Sequence, residues 1–225
     1  MRFLRGSYIP DASSFSFYPH FFDETEQKVL LSGCLKKLDS LESQRARRRR
    51  NSQLSALKQP GRLAVNICDL FRPDCAYEFQ EGHFDDVING YRETHVRSWP
   101  SEDYPALDPL LNRLKDLLPD VKMQTHILHL STEGQIFPHV DNLDASGSWI
   151  LGVSLGAPRV LRLMKNDDES IFFDVLLPSG SVYIQRDLLR FEYKHSILKD
   201  ERFGGDIPTG GQRVSIMIRD MKRES

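Results

Sequence analysis

Long apolar runs and paired cysteines are both missing from this 225-residue sequence. No stretch approaches the roughly 18 consecutive apolar residues that a membrane-spanning helix needs, so we expect a soluble protein. The three cysteines, Cys34, Cys68 and Cys75, form no CxxC pair, and their odd number argues against a disulfide framework. A secretory signal is also lacking. We therefore expect a reducing compartment, in which the cysteines serve as small core residues.

A strong charge of either sign is lacking as well. The 30 Lys and Arg residues are matched by 32 Asp and Glu residues, which gives a formal net charge of −2 at pH 7. This balance provides no overall basic footprint of the kind that nucleic-acid binders carry, although it is compatible with a local basic patch. The length suits one substantial core, and neither repeats nor a low-complexity linker mark a boundary. We therefore predict a single domain over residues 1–225, and a monomer.

Two amphipathic helices are predicted in the first half of the chain. In the first, Asp23 occupies an N-cap position with Glu26 three residues later, and apolar residues follow at helical spacing. In the second, "DPLLNRLKDLLP", Asp108 is the predicted cap, Pro109 the first helical residue and Pro119 the stop. Both patterns indicate helices that lie against a core.

Short apolar runs separated by Gly, Pro and Asp follow residue 120. They are "MQTHILHL", "WILGVSL", "RVLRLM", "IFFDVLL", "SVYIQ", "FEYKHSIL" and "RVSIMIRD". Six or seven short strands at this spacing are typical of a β-sandwich or barrel with helices packed outside. We therefore predict a mainly β fold with flanking helices (α+β), in which residues 1–120 are helical or irregular and residues 121–220 form the β core.

One pair of side chains near the end of a predicted strand could bind a metal ion. His139 and Asp141 belong to "FPHVDN", after the run "THILHL" and the turn-like "STEG". Residues i and i+2 of a strand point to the same face, so an imidazole nitrogen and a carboxylate oxygen would approach one ion. Because HxD pairs are common by chance, a surface histidine bonded to a nearby acid is the alternative.

A third ligand has to come from elsewhere in the chain. The 2-His-1-carboxylate set of non-haem Fe(II) needs a second histidine and leaves three coordination positions open. His195, in the strand-like run "FEYKHSIL", is the only histidine after His139. A lone histidine in a strand is otherwise a satisfied core or edge residue. The order of His139, Asp141 and His195 favours a metal site.

The run "RVSIMIR" at residues 213–219 places two arginines on one strand face. Alternation sets Arg213, Ser215, Met217 and Arg219 opposite an apolar face. The two arginines are about 20 Å apart along the strand, and their long side chains would bracket a small dicarboxylate. A guanidinium suits this role because its planar fork binds a carboxylate bidentately. An outer strand with solvated arginines is the alternative.

Taken together, these motifs resemble the AlkB family of Fe(II)- and 2-oxoglutarate-dependent dioxygenases. The resemblance rests on the order HxD, then His, then R-x5-R on a late strand, and on "SLG" at residues 154–156. Five segments are similar to the mitochondrial branch of that family: "YEFQEGHFDDVINGYRET", "GQIFPHVDN", "PSGSVYIQRD", "HSILKDERFGG" and "GQRVSIMIRD". The similarity covers roughly residues 22–220. It implies the double-stranded β-helix, or jelly roll, of that family.

The resemblance also implies a role for each residue of the predicted site. The implied catalytic residues, which are also the iron ligands, are His139, Asp141 and His195. The implied contacts of the cosubstrate 2-oxoglutarate are Arg213, which binds its distal carboxylate, and Arg219, Tyr183 and Ser215. The implied reaction converts 2-oxoglutarate and O2 to succinate and CO2 while a substrate is hydroxylated or demethylated.

One feature of the nucleic-acid-repairing members is missing. In those enzymes an Asn-x-Tyr pair on the strand before HxD also holds the cosubstrate, and here we assign His129 and Ser131 to that place. No interleaving of aromatic and basic residues near HxD provides a grip for a flipped base. An unidentified protein or small-molecule substrate is therefore favoured over a nucleobase.

One strongly basic run occurs in the chain, with five arginines within six residues: Arg45, Arg47, Arg48, Arg49 and Arg50. Such a run is usually a solvated face, and a targeting signal or an RNA contact is the alternative. The competing hypotheses are an RNA or DNA demethylase, with RNA held by this run, and an iron- and 2-oxoglutarate-binding regulatory module with little turnover. The resemblance implies a mitochondrial location, with cytoplasm or nucleus as the alternative.

Overall fold

The computed structural model describes residues 3–8, 10–44, 47–48, 52, 66–82, 86–142, 147–199, 201–204 and 210–221. The strands in these ranges are β1 (Leu4–Gly6), β2 (Phe15–Tyr18), β3 (Ile88–Val96), β4 (Met123–His139), β5 (Trp149–Gly156), β6 (Arg159–Lys165), β7 (Phe172–Leu177), β8 (Ser181–Arg186), β9 (Tyr193–Leu198) and β10 (Arg213–Asp220). The helices include α1 (Glu24–Ser40), α2 (Leu107–Lys115) and α3 (Leu188–Glu192), and short 3-10 helices span Ile67–Leu70 and Asp74–Ala76.

All strand pairs are antiparallel, and the sheet runs in the order β1-β7-β6-β9-β4-β10-β5-β8-β2, with β3 also paired to β4. The long strand β4 joins two halves of this sheet. Residues 123–130 of β4 pair with β10, whereas Ile136 and His139 pair with β9. This is the arrangement of a double-stranded β-helix, so the predicted mainly β fold with flanking helices is confirmed.

Two apolar clusters lie on opposite faces of the β4, β10 and β5 region. The inner cluster fills the space enclosed by the two halves of the sheet and includes Leu128, Leu130, Leu161, Phe173 and Ile197. The outer cluster packs the other face of β10 and β5 against α1 and α2 and includes Leu31, Leu114, Val153, Val214 and Ile216. The period of two along each strand therefore separates an interior from a helix-covered face.

The seven apolar runs predicted as strands form β4 to β10, and the first predicted helix is α1. Asp23 is its N-cap: the Asp23 carboxylate accepts from the Glu26 backbone N–H at 2.9 Å, and the Glu26 carboxylate accepts from the Asp23 N–H at 3.0 Å. These reciprocal bonds form the predicted capping box.

Several local predictions are wrong. Three strands, β1, β2 and β3, occur before residue 120, where we predicted only helical and irregular structure. "STEG" is not a turn but part of β4, because Gly134 lets β4 approach Gly90 of β3 closely; a Cβ at Gly134 would lie 2.5 Å from the Gly90 carbonyl oxygen. Asp108 lies inside α2, whose N-cap is Ala106, and its carboxylate accepts from the Ser101 hydroxyl instead.

The remaining sequence-based expectations have mixed outcomes. Cys34 is buried as predicted, whereas Cys68 and Cys75 are exposed. Of the arginine run, Arg45, Arg49 and Arg50 lie outside the described residues, and Arg47 and Arg48 are exposed. Over the described residues, no helix is both long enough and apolar enough to cross a membrane. The single domain and the monomer stay predictions.

Replacing Asp23 with Ala should lower the free energy of unfolding by about 1 kcal/mol, because the first turn of α1 loses its side-chain acceptor. Urea denaturation of the metal-free protein measures this loss. Asp120→Ala is the control, since Asp120 is an exposed loop residue, and it should leave the midpoint unchanged. Equal midpoints for Asp23→Ala and the parent would contradict the capping role.

Candidate metal centre and cosubstrate pocket

The pairing of β4 with β9 brings the three predicted metal ligands together. His139, the last residue of β4, lies directly opposite His195 of β9. Asp141 follows beyond the end of the strand, so the alternation that we used to group it with His139 does not apply. The ligand atoms of all three residues nevertheless lie within 4.8 Å of one another.

The three side chains converge on one carboxylate oxygen. Oδ1 of Asp141 lies 3.3 Å from Nε2 of His139 and 3.7 Å from Nε2 of His195. The two imidazole rings are 4.3 Å apart between centroids. Two nitrogens and one oxygen in this arrangement fit a divalent first-row metal, and a triad of this composition with open positions is typical of non-haem Fe(II) oxygenases.

A backbone contact sets which nitrogen of His139 faces the other two ligands. Nδ1 of His139 lies 2.8 Å from the Phe137 carbonyl oxygen, which can only accept, so Nδ1 carries the proton and donates. Phe137 lies in the stretch where the β4–β9 register shifts, between Ile136 and His139. Nε2 of His139 therefore faces Asp141, where it donates to the carboxylate when protonated and offers its lone pair to a metal when deprotonated.

Burial and neighbouring charges favour the protonation states that bind a metal. Burial raises the pKa of the Asp141 carboxyl, but its contacts with the His139 ring and Arg219 outweigh burial and hold that pKa well below its usual range. Burial also lowers the pKa of His195 to about 4, and the His139 ring acts in the same direction. At pH 7, Asp141 is therefore ionised and His195 is neutral.

Arg219 lies at the metal end of the interior. Its Nη1 is 3.4 Å from Oδ2 of Asp141, the carboxylate oxygen that does not face the histidines. One carboxylate oxygen thus meets the two imidazoles and the other meets a guanidinium, which holds the orientation of the Asp141 side chain. We had predicted Arg219 as a cosubstrate contact, and in the structure it also touches a predicted metal ligand.

Arg213 lies in the interior at the other end of β10. Only 1% of the residue is exposed, and its Nε donates to the Ser154 hydroxyl at 2.9 Å. Burial lowers the pKa of Arg213 to about 10, so the side chain is still a cation at pH 7. Among the described residues, no carboxylate forms an ion pair with it. A buried cation of this kind is suited to pair with an anion, because burying a charge is costly unless it is paired.

Tyr183 and Ser215 share the interior face with Arg213. Tyr183 lies opposite Gly152, where an added Cβ would be 2.4 Å from the tyrosine ring, so the glycine makes room for that ring. Burial raises the pKa of Tyr183, which keeps its hydroxyl a donor. The buried Ser215 hydroxyl has no hydrogen-bond partner among the described residues. The predicted cosubstrate contacts thus present donors to one enclosed space.

The assignment of His129 and Ser131 to the cosubstrate-holding pair is wrong. In the β4–β10 register, Leu128 and Leu130 lie opposite Ser215 and Arg213 of the interior face, so His129 points to the other face. Because side chains alternate, an error of one residue exchanges the two faces. Apolar side chains occupy the two interior positions, and neither can donate a hydrogen bond to a cosubstrate.

Sequence reasoning missed a buried arginine beside the metal ligands. Arg190 of α3 is 1% exposed, and its Nη1 donates to the Asp141 carbonyl oxygen at 3.2 Å. Its Nη2 is 3.4 Å from the Asn142 carbonyl oxygen. Arg190 thereby ties the backbone of the HxD turn to the helix that leads into β9 and His195. An arginine in "LLRFE" carries no sequence signal that distinguishes it from a solvated one.

Acid should destabilise the metal-free protein between pH 6.5 and about pH 4, because the folded protein lowers the pKa of His195. Its pKa is about 4 in the folded protein against an ordinary value of 6.5, so the unfolded chain binds the proton more readily between these values. The stabilisation is present above pH 6.5 and is lost as pH falls toward 4, by on the order of 3 kcal/mol for this one group. Urea denaturation with chelator at several pH values should show a shallower pH dependence for His195→Gln.

The exposed His20 provides the matched control, and His20→Gln should retain the pH dependence of the parent. An unchanged pH dependence in His195→Gln would contradict the assignment.

Comparison with known proteins agrees with this geometry. The model of the 2OG-Fe(II) oxygenase superfamily matches residues 14–219. The chain is 34% identical over 151 residues to the protein named "Alpha-ketoglutarate-dependent dioxygenase alkB homolog 7, mitochondrial" from Mus musculus. It is 33% identical over 147 residues to the protein of the same name from Bos taurus. Each match covers 64% of this chain and 66% of the relative, just under two thirds of the relative's length.

A solved structure also shares the fold. The structure of OsALKBH1 superposes with a TM-score of 0.52 at 12% sequence identity, covering 95% of this chain and 100% of that chain. The predicted resemblance to AlkB-like oxygenases and the jelly-roll fold are confirmed. Since the family model covers β2 to β9, nearly all of β10 and every candidate ligand, the chain belongs to the 2OG-Fe(II) oxygenase superfamily, whose members use Fe(II), 2-oxoglutarate and O2.

Proposed function

We propose that this chain is an active Fe(II)- and 2-oxoglutarate-dependent dioxygenase in which His139, Asp141 and His195 hold the iron. The observation that carries the proposal is the convergence of their ligand atoms within 4.8 Å, in an interior that also holds Arg213 as a buried cation. Other divalent metals accept the same ligands, so the arginine is what favours an oxygenase. Once bound, iron and 2-oxoglutarate supply the oxidising chemistry with O2.

The protein's own side chains bind and orient the cosubstrate. Arg213 pairs with the distal carboxylate of 2-oxoglutarate, because a guanidinium fork matches a carboxylate in charge and geometry. The hydroxyls of Tyr183 and Ser215 donate to the same molecule, and Arg219 helps at the metal end while it holds the Asp141 carboxylate. Apolar residues such as Leu128 and Leu130 exclude water from this space, which strengthens each polar contact.

We propose a protein side chain or a small molecule, rather than a nucleobase, as the substrate that is hydroxylated or demethylated. Residues 131–148, which surround HxD, contain no Lys or Arg. A nucleic-acid substrate would need cations near the reacting base to offset its phosphates, and aromatic side chains to stack the base. The sequence around HxD does not offer this combination.

We also propose a mitochondrial location. The support is the word "mitochondrial" in the names of the two mammalian relatives, which are 34% and 33% identical to this chain. Import into isolated mitochondria, followed by protease protection, tests the proposal.

Asp141→Ala should abolish most Fe(II) binding, because the site loses one of its three protein ligands and the only negative one. Anaerobic reconstitution followed by metal analysis measures the stoichiometry. Asp168→Ala replaces an exposed aspartate and is the matched control, which should bind like the parent. Unchanged iron content in Asp141→Ala would refute the ligand assignment.

Succinate release by the iron-loaded parent, with and without peptide and metabolite pools, then separates an enzyme from a regulatory module. Binding of 2-oxoglutarate without succinate would favour the module.

The salt dependence of RNA binding tests the hypothesis that the arginine run binds RNA. If its arginines grip phosphates, the logarithm of RNA affinity should fall with log salt by about 0.7 per phosphate, and replacing three arginines should flatten the slope by about two units. We expect weak RNA binding, with Arg47 and Arg48 as solvated residues, and turnover unaffected by the replacements. Tight, steeply salt-dependent binding that vanishes with the arginines, together with loss of methyl groups from the RNA, would favour the RNA demethylase.

A further inference from the structure

A closed ring of hydrogen bonds lies on the outer face of the sheet, behind Arg213. Nε of Arg92 donates to Nδ1 of His129 at 2.9 Å, and Nε2 of His129 lies 2.9 Å from Oε1 of Gln212. Nε2 of Gln212 donates to the Arg72 carbonyl oxygen at 2.6 Å. The guanidiniums of Arg72 and Arg92 both donate to Asp39 of α1, each at 2.9 Å, which closes the ring.

The chemistry of the donors fixes the direction of every bond in this ring. The Nε–H of Arg92 can only donate, so Nδ1 of His129 accepts. The remaining nitrogen, Nε2, then carries the proton of the neutral imidazole and donates to the amide oxygen of Gln212. That orientation turns the amide NH2 of Gln212 toward the Arg72 carbonyl, which can only accept. Each hydrogen bond therefore fixes the orientation of the next side chain in the ring.

Aromatic side chains around His129 shield this part of the ring from water. The histidine is fully buried, and the rings of Phe71, Tyr77 and Phe79 lie 5.0 to 5.3 Å from it. The Arg92 guanidinium also lies 4.1 Å from the centre of the Tyr77 ring. Water cannot readily replace a lost partner here, so the removal of one member leaves a buried polar group unsatisfied.

The ring holds the residue immediately before Arg213. Gln212, which directly precedes β10, bonds His129 on the outer face, whereas the next residue, Arg213, bonds Ser154 on the interior face. The backbone is held at the same place, since the Ala157 N–H donates to the Gln212 carbonyl oxygen at 2.9 Å. A movement of Gln212 on the outer face would therefore shift Arg213 on the inner face.

We propose that His129 and Gln212 are positioning residues that set the affinity for 2-oxoglutarate by fixing Arg213, without touching the cosubstrate or the metal. This inference rests on the proposed function, because it assigns Arg213 to the cosubstrate carboxylate. It adds two residues from the helix-covered face to a site that is otherwise built on the interior face. It also links cosubstrate binding to Asp39 of α1.

Titration calorimetry of 2-oxoglutarate into the full-length protein loaded with Mn(II), a redox-inert stand-in for Fe(II), tests the proposal. His129→Leu and Gln212→Leu should each weaken 2-oxoglutarate binding about tenfold, the loss expected when a displaced Arg213 no longer makes one of its charge-assisted hydrogen bonds to the cosubstrate carboxylate. Arg213→Ala is the reference for complete loss of the carboxylate contact. The Mn(II) affinity of the two leucine variants should stay within about twofold of the parent, because the ring does not contact the ligands.

Two further variants separate positioning from general destabilisation. His129→Gln keeps one acceptor and one donor, so it should recover part of the affinity that His129→Leu loses. Leu114→Ala removes buried volume from α2 on the same helical layer and should lower the melting temperature without changing 2-oxoglutarate affinity. If His129→Leu does not fold, Gln212→Leu carries the test, since Gln212 lies just before β10 rather than inside the sheet.

The outcomes are distinct. Parent-like 2-oxoglutarate affinity in both leucine variants would overturn this inference and leave the proposed function intact. An equal loss of affinity in Leu114→Ala would also overturn it, because the effect would then be one of stability. A parent protein that binds Mn(II) but no 2-oxoglutarate would overturn the proposed function and this inference with it.

Discussion

The pairing of β4 with two different partners is the interaction on which the rest of the site depends. Its first half pairs with β10, which carries Arg213 and Arg219, and its end pairs with β9, which carries His195. A strand that stopped at the predicted turn "STEG" could not reach both neighbours. The seventeen residues of β4 therefore connect the strand that carries the proposed cosubstrate contacts with the strand that completes the candidate metal centre.

Much of this arrangement was predictable because its parts are local. The alternation in β10 correctly placed Arg213 and Ser215 on one face. The apolar runs correctly predicted β4 to β10, the strands described after residue 120. Errors arose where a shift of one residue changes which face of the sheet a side chain occupies. His129 was assigned to the interior because the sequence alone does not show which residues of β4 face inward, and only the pairing with a neighbouring strand shows this. The phase of β4 comes from its pairing with Ser215 and its neighbours on β10, a contact between residues almost ninety positions apart.

Contacts between distant residues account for what the sequence could not indicate. Arg190 contacts the Asp141 backbone across 49 positions, and Gln212 contacts His129 across 83. No sequence motif marks either pair, because the acceptor in the first is a backbone carbonyl and five strands separate the partners of the second along the chain. Sequence reasoning places such arginines and glutamines at the surface, because most arginines and glutamines in proteins are exposed.

Three of the buried guanidiniums near the site are each stabilised by different partners. Arg92 pairs with Asp39 and Glu42, and Arg190 donates to backbone carbonyls near Asp141. Arg213 has the Ser154 hydroxyl and, in the proposed function, the cosubstrate carboxylate. Burying a charge costs several kcal/mol unless partners offset it, so an anion bound at Arg213, as the proposed function requires, would offset part of that cost.

The two faces of β10 place different demands on one backbone. Val214 and Ile216 pack against the helical layer, while Arg213 and Ser215 face the pocket. Since adjacent residues of a strand cannot move independently, a displacement that repacks the outer row also turns the inner row. The helical layer therefore does more than cover apolar surface, because the position of α1 at Asp39 reaches Arg213 through Arg92, His129 and Gln212. In the proposed positioning role, changes at Asp39, Arg92 or His129 would act on Arg213 through that path, whereas apolar contacts elsewhere in the layer would not.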